Sequence, residues 1–259
     1  MTGRTSTTQT HRSRAGLRAP AVLFALACAG LASALPSVAR ADAGENLQPY
    51  TARYQVSYRG LNGGEIEATF RRGNGNGLWQ YETRAFPSLL GRLAVSSQAH
   101  ESSTMLVSAN GVRPLSFAFD DGSSGASKDV RLDYDWAGGK VTGSAEGKAV
   151  AITLLPDTQD TASVQAAMIQ ARLAGRKPAS FRIITGGKLR EYRYWFEGKE
   201  QVMTPFGQVE AEIWANQRDG SSRLSKVWHA PSLGFVPVQA IQYRKGNPEV
   251  QMKLLKLER

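Results

Sequence analysis

The chain has 259 residues, 32 Lys and Arg against 22 Asp and Glu for a formal net charge of +10, and a single cysteine. One cysteine excludes a disulfide framework and a cysteine-built zinc site. A hydrophobic fraction of 41% is enough for a sizeable core.

The first segment is basic and free of acid, with Arg4, Arg12, Arg14 and Arg18, and an apolar run from Ala19 to Leu35 follows it. Ala39, Arg40 and Ala41 then give the small-x-small pattern of a signal-peptidase site, so residues 1–41 read as a secretory signal peptide cleaved after Ala41. The alternative, a retained N-terminal anchor, is disfavoured because the run is short for a membrane span. Cys28 lies inside the run rather than at its end, which argues against lipidation. Arg12 and Arg14 are separated by Ser13, so no twin-arginine signal is present. The expected location is the periplasm, and the expected mature chain, residues 42–259, is one cysteine-free β-rich domain. Five arginines leave with the leader, taking half of the positive excess. Nucleic acid is not an expected partner. The remaining positive charge suits peripheral contact with an anionic membrane surface.

Beyond the leader, alternation with period two recurs and predicts half-buried antiparallel strands. Tyr50, Ala52, Tyr54, Val56 and Tyr58 share a face, as do Ile66, Ala68 and Phe70. Turns rich in glycine and asparagine separate such runs at Gly60–Gly64 and Gly73–Gly77. The pattern breaks from Pro87 to Val95, where Leu89, Leu90 and Leu93 are read either as core side chains, the more economical choice, or as a flap guarding a cavity mouth. Val130, Leu132, Tyr134 and Trp136 mark a regular strand with Asp133 and Asp135 on its outer side. Asp120–Ser127 is a polar loop.

Leu154–Gly175 is the long helical pattern of the mature chain. Asp157, Thr158, Asp160 and Thr161 supply capping oxygens at its start, and Gly175 supplies a left-handed stop. Val164, Ala167, Met168, Ala171 and Ala174 form one apolar stripe, and Ala162, Ala166, Ile169 and Leu173 a second. A helix this apolar is enclosed rather than laid on a surface. The predicted fold is therefore mainly β: a strongly curved antiparallel sheet of about a dozen strands, an open barrel or β-spiral, wrapped around one principal α-helix. A sheet that long must coil or close.

Five motifs recur in the same order in one family. They are Tyr58-Arg59-Gly60-Leu61 with Gly64, Gln159-Asp160, Tyr192-Arg193-Tyr194-Trp195, Thr204-Pro205-Phe206-Gly207, and Trp228-His229-Ala230-Pro231 with Gly234, Pro237 and Val238. In these the chain resembles the exported bacterial family called domain of unknown function 3108. The resemblance spans nearly all of residues 42–259. It implies an envelope protein of antiparallel β structure, assigns no activity and carries over no catalytic residue. His229 departs from the larger apolar residue common at its position.

No catalytic or metal constellation is legible. His100 and His229 stand far apart in sequence, with no His-x-His or HExxH spacing, and no GxSxG elbow occurs. A hydrolase would need one of these histidines beside Asp120, Asp157 or Asp160. No metal and no cofactor are expected. The expected function is a non-catalytic, monomeric envelope protein that binds an apolar, lipid-like small molecule or an envelope protein partner, with a ligand-free scaffold as the alternative and a hydrolase of envelope polymers third. Candidate ligand contacts are Asp160, Tyr192, Tyr194, Trp195, Trp228, Leu89 and Leu90, with the arginines around Tyr192–Tyr194 as partners for a buried Asp160. Expressed with its own leader, the protein should be recovered from the periplasm beginning at Asp42; an intact N-terminus at Met1 in the membrane fraction refutes this reading.

Overall fold

The computed structural model describes residues 47–93, 95–125 and 127–259; the signal segment and its cleavage site lie outside them. Fifteen strands form one sheet. Its first half is an up-and-down meander: β1 (Tyr50–Tyr58), β2 (Leu61–Arg72), β3 (Leu78–Pro87), β4 (His100–Ser108), β5 (Gly111–Asp120), β6 (Val130–Asp135), β7 (Lys140–Ala145) and β8 (Lys148–Thr153). The second half comprises β9 (Thr158–Gln159), β10 (Ser180–Thr185), β11 (Lys188–Thr204), β12 (Gly207–Arg218), β13 (Arg223–Ala230), β14 (Val236–Arg244) and β15 (Asn247–Glu258). The halves join where β1 pairs antiparallel with β15, so the order runs from β8 at one edge through β1 and β15 to β9 at the other. All neighbours are antiparallel except β9 and β10.

The count exceeds the expected dozen. The additional strands are those that propensity describes worst: β9 has two residues, and β7 is KVTGSA, burying only Val141 and Ala145. Their ladders are imposed by neighbours rather than by their own side chains. The edges approach without pairing. A Cβ on Gly187, in the β10–β11 turn, would lie 2.8 Å from the Ala145 Cβ in β7, and the φ of +67° there independently favours glycine.

One α-helix, α1 (Ser163–Leu173), runs through the interior between β9 and β10 in sequence. It is shorter than the apolar pattern. Asp157 turns the chain at φ +60°, and Thr158–Gln159 pairs with Arg182–Ile183 as β9, so the first turn starts at Asp160. The Asp160 carboxylate accepts the amide N–H groups of Ala162 at 3.0 Å and Ser163 at 2.6 Å, while the Asp160 N–H donates to the Ser163 hydroxyl at 2.9 Å. This reciprocal arrangement is a capping box with aspartate in the lead position. At the other end Gly175, at φ +68°, and Arg176 donate to the carbonyls of Arg172 and Ala171, a Schellman stop.

Nine of the eleven helix residues are buried, on every side of the axis. The helix lies against β5 and β4, and Gln170 donates to the Ser108 carbonyl at 2.7 Å. At its C-terminal end Arg172 makes a two-pronged contact with Glu212 of β12, at 2.8 and 3.2 Å, and Trp214 donates to the same carboxylate at 3.0 Å. The guanidinium also lies over the Trp214 and Phe235 rings. In the first half of the sheet the interior is filled by aromatic rings: Phe70 stacks on Trp79 at 4.5 Å, with Tyr50 and Tyr81 beside them.

Removing one partner of a desolvated ion pair strands the other. Glu212→Ala should therefore lower unfolding free energy by about 3–5 kcal/mol, read from urea denaturation followed by tryptophan fluorescence. A loss no larger than that of an exposed pair such as Lys199–Glu210 contradicts the strut role of Arg172.

Candidate functional site

Between α1 and the second half of the sheet the interior is not filled. A cavity of about 370 Å³ lies there, walled by Thr161, Val164 and Gln165 from the helix side and by inward side chains of β10 to β15. Strand register arranges that wall in rows. Tyr194, Asn216, Ser225, Gln242 and Val250 stand opposite one another across β11 to β15, a largely polar row. One step deeper, Val227, Ala240 and Met252 form an apolar row across β13 to β15, continued outside the cavity by Trp214 of β12. The cavity is thus amphipathic, with a polar collar and an apolar floor. Its walls carry no charged side chain, histidine or cysteine.

The collar faces the end of the sheet that carries the β1–β2, β3–β4, β5–β6, β10–β11, β12–β13 and β14–β15 connections. A second, wider recess of about 730 Å³ opens at this end, lined in part by Ile66, Thr83, Glu101, Phe119, Arg92 and Leu93. The two spaces meet at one contact. The Thr161 hydroxyl, on the first cavity, donates to the Glu101 carboxylate, on the second.

Beside that contact lies Asp160, with no exposed surface. Its second oxygen accepts the Ser103 hydroxyl of β4 at 2.9 Å. Burial pushes the Asp160 carboxyl up to about 6 even though amide and hydroxyl donors stabilise its ionised form. Burial also raises Glu101 to about 7; the Thr161 hydroxyl opposes the rise and the Asp160 charge adds to it. The Tyr134 hydroxyl is buried with no hydrogen-bond partner, and burial together with the neighbouring Asp160 charge raises its pKa.

The histidines and the remaining candidate acids lie elsewhere. His229 is buried and held well below its ordinary value, at about 4, because desolvation disfavours the imidazolium. Its Nδ1 lies 2.9 Å from the Phe235 carbonyl and braces the corner made by the 3-10 turn Pro231–Leu233 and Gly234. His100 faces Asp120 across the β4–β5 ladder but makes no hydrogen bond to it; Asp120 accepts the Gly122 N–H at 2.7 Å. Asp120, Asp121 and Asp129 lie close together, with Asp121 paired to Lys128 at 3.2 Å and accepting from Ser123. Asp133 and Asp135 point outward, as expected.

Of the residues anticipated as ligand contacts, Tyr192 and Tyr194 line the cavity, and Asp160 lies behind its wall. Trp195 does not line it. It has the opposite parity from Tyr194, projects outward and bonds Glu197. Trp228 is buried away from the cavity and donates to Glu200 at 2.7 Å; it stands one step out of phase with Ser225 and Val227, whereas His229 is in phase with them and faces inward. Leu89 and Leu90 are 84% and 60% exposed, which overturns the core reading, and neither lines the cavity. The expected arginine partner of Asp160 is also corrected: Arg193 points outward to Asp219 at 2.8 Å, and Asp160 is held by hydroxyl and amide donors. Asn216, Ser225, Gln242 and Glu101 were not anticipated. Their signal was a polar side chain at inward parity in its own strand.

This geometry defines a class: a β-barrel-like protein, one curved sheet enclosing a helix, with an uncharged amphipathic cavity beside it. The chain belongs to the family described as protein of unknown function (DUF3108), whose profile matches residues 53–254. A β-barrel-like protein of domain of unknown function DUF1849 from Brucella abortus shares the fold, with a TM-score of 0.51 at 16% identity over 82% of this chain and 98% of that one. Weaker likenesses are to the Pseudomonas aeruginosa MucA/MucB complex, with a TM-score of 0.36 at 10% identity over 83% and 53% of the chains, and to a Bacteroides fragilis protein with a YmcC-like fold, at 0.35 and 11% over 83% and 97%. Comparison with curated proteins finds no match.

An acid raised on folding keeps protons that the unfolded chain has already released, so ionisation favours unfolding as pH climbs through that interval. For Glu101 the interval runs from about 4.5 to about 7. The stability of Glu101→Gln relative to the parent should therefore improve steadily as pH rises through this window and level off above it, measured by urea midpoints in a pH series. A difference independent of pH means that Glu101 ionises as a solvated side chain.

Proposed function

We propose that this protein is a non-catalytic periplasmic envelope protein that binds an uncharged or amphipathic, lipid-like molecule in the cavity between α1 and β10–β15. The observation that carries the reading is the lining itself. An apolar floor under a row of Asn216, Ser225, Gln242 and Tyr194 suits a chain with an apolar tail and a hydrogen-bonding head. The volume falls within the ordinary range for small-molecule sites. The lack of a carboxylate, histidine or cysteine in the wall supports binding without catalysis, since hydrolytic chemistry needs a nucleophile with a base or a metal. The basic, apolar N-terminal segment with its Ala39-Arg40-Ala41 site supports export.

A scaffold without ligand is the second reading, favoured by the edge strand β8, whose outer ladder has no neighbour in the sheet. The two separate by extraction. Protein purified from the envelope, extracted with organic solvent and analysed by mass spectrometry, should release a stoichiometric lipid-like compound. Ala240→Phe, which places a ring between Val227 and Met252, should lose that compound while keeping the parent circular dichroism. An empty parent protein that binds a partner through β8 supports the scaffold instead.

A further inference from the structure

The loop between β3 and β4 exposes Leu89, Leu90 and Leu93, the last at 86%, next to Leu61 of the β1–β2 hairpin at 61%. This loop is built, not slack. The Ser88 N–H donates to the Gly63 carbonyl at 3.1 Å, its hydroxyl to the Asn62 carbonyl at 2.7 Å, and the Val95 N–H to the Gly91 carbonyl at 2.9 Å. Gly91 lies so close to the β2 backbone that a Cβ there would be 2.1 Å from the Gly63 oxygen. The hairpin thus holds the leucines outward in a fixed turn, where their burial in solvent-free surroundings is left unmet.

The chain next to them is basic, while Glu101 and Asp121 share the recess with Arg92 and Leu93. Neither Arg59–Gly64 nor Pro87–His100 contains an acidic residue, and the two segments contribute Arg59 and Arg92. On the same rim Arg59, Arg223 and Arg244 converge on the single carboxylate of Glu249, at 3.2, 4.0 and 3.4 Å, so positive charge is left over. All three guanidinium side chains are about half exposed.

We propose that this rim docks on the surface of an anionic phospholipid bilayer, with Leu89, Leu90 and Leu93 entering the acyl boundary and Arg59, Arg92, Arg223 and Arg244 meeting lipid phosphates. Stable attachment needs apolar insertion and basic attraction together, and this rim supplies both. A protein groove would also cover leucines, but arginines set around them match a sheet of dispersed anions. The inference deepens the ligand-binding reading, because the docking rim is the end on which the cavity collar faces.

The test uses the full chain carrying Cys28→Ser and Leu90→Cys, labelled at position 90 with an environment-sensitive fluorophore. Vesicles of phosphatidylethanolamine and phosphatidylglycerol should give a blue-shifted, several-fold brighter signal, and phosphatidylcholine vesicles should not. Added salt should weaken the response. Reversal of Arg59 and Arg92 to Glu should reduce vesicle affinity about tenfold or more, and Leu89→Ser with Leu93→Ser should abolish the spectral shift. The N-terminal segment, itself basic and apolar, is common to every sample, so the rim is read from the differences between the variants and the parent. Ala240→Phe should dock like the parent, which separates this proposal from the cavity reading. An unresponsive label, or a response only to an added protein, overturns it.

Discussion

The structure depends on a helix tied at its two ends to opposite halves of one sheet. At the N-terminal end Asp160 accepts from Ser103 of β4; at the C-terminal end Arg172 grips Glu212 of β12. Apolar burial drives the helix inside but does not fix its rotation or its position along the axis, because that force has no direction. The polar anchors do, since each leaves a buried group unpaired if the helix slides or turns. A sheet with two unpaired edges has no other device among the described residues that spans its interior from β4 to β12.

The cavity follows from where those anchors hold the helix. Ala166, Ala167 and Ala171 are buried small residues, which let a helix backbone come close to the sheet, and α1 lies against β4 and β5. Close approach on that side leaves a gap on the other. The first half of the sheet fills its interior with Phe70, Trp79, Tyr50 and Tyr81. Across β13 and β14 the inward positions include Ser225, Val227 and Ala240, short side chains that leave space beside the helix. Part of the interior is therefore core and part is cavity, although the strand pattern is the same throughout.

That uniform pattern explains what the sequence reveals and what it hides. Period-two alternation discloses the strands and their inward faces, and an all-round apolar stripe discloses an enclosed helix. It also separates Tyr192 and Tyr194 from Trp195, which stands one step out of phase; grouping all three by their motif overrode a distinction that parity alone makes. Trp228 is out of phase with Ser225 and Val227 in the same way, and it donates to Glu200 instead of lining the cavity. The helix start was obscured because Asp157 and Thr158 offer capping oxygens, but Asp157 turns the chain and Thr158 is taken by β9, a pairing with Arg182–Ile183 that depends on chain far downstream. Leu89 and Leu90 look like core by composition. Only the backbone lock between Ser88 and Gly63 shows why they face outward.

The two ends of the sheet are not equivalent, and the difference has a direction. At the end carrying the C-terminus of α1, Arg172 bonds the Arg176 carbonyl, His229 holds the Phe235 corner, and Gln159 and Gln170 donate to the backbone of β5 and β4. These contacts use backbone acceptors, which cannot be exchanged for ligand groups without opening the fold. At the opposite end the groups are side chains: the Thr161–Glu101 contact, the amides of Asn216 and Gln242, and the Ser225 hydroxyl. Side chains change rotamer in a folded protein far more readily than ladders open. On the proposed binding reading, exchange between cavity and surroundings belongs to the end where the collar, the two acids and the outward leucines lie together, while the braced end keeps the helix in register.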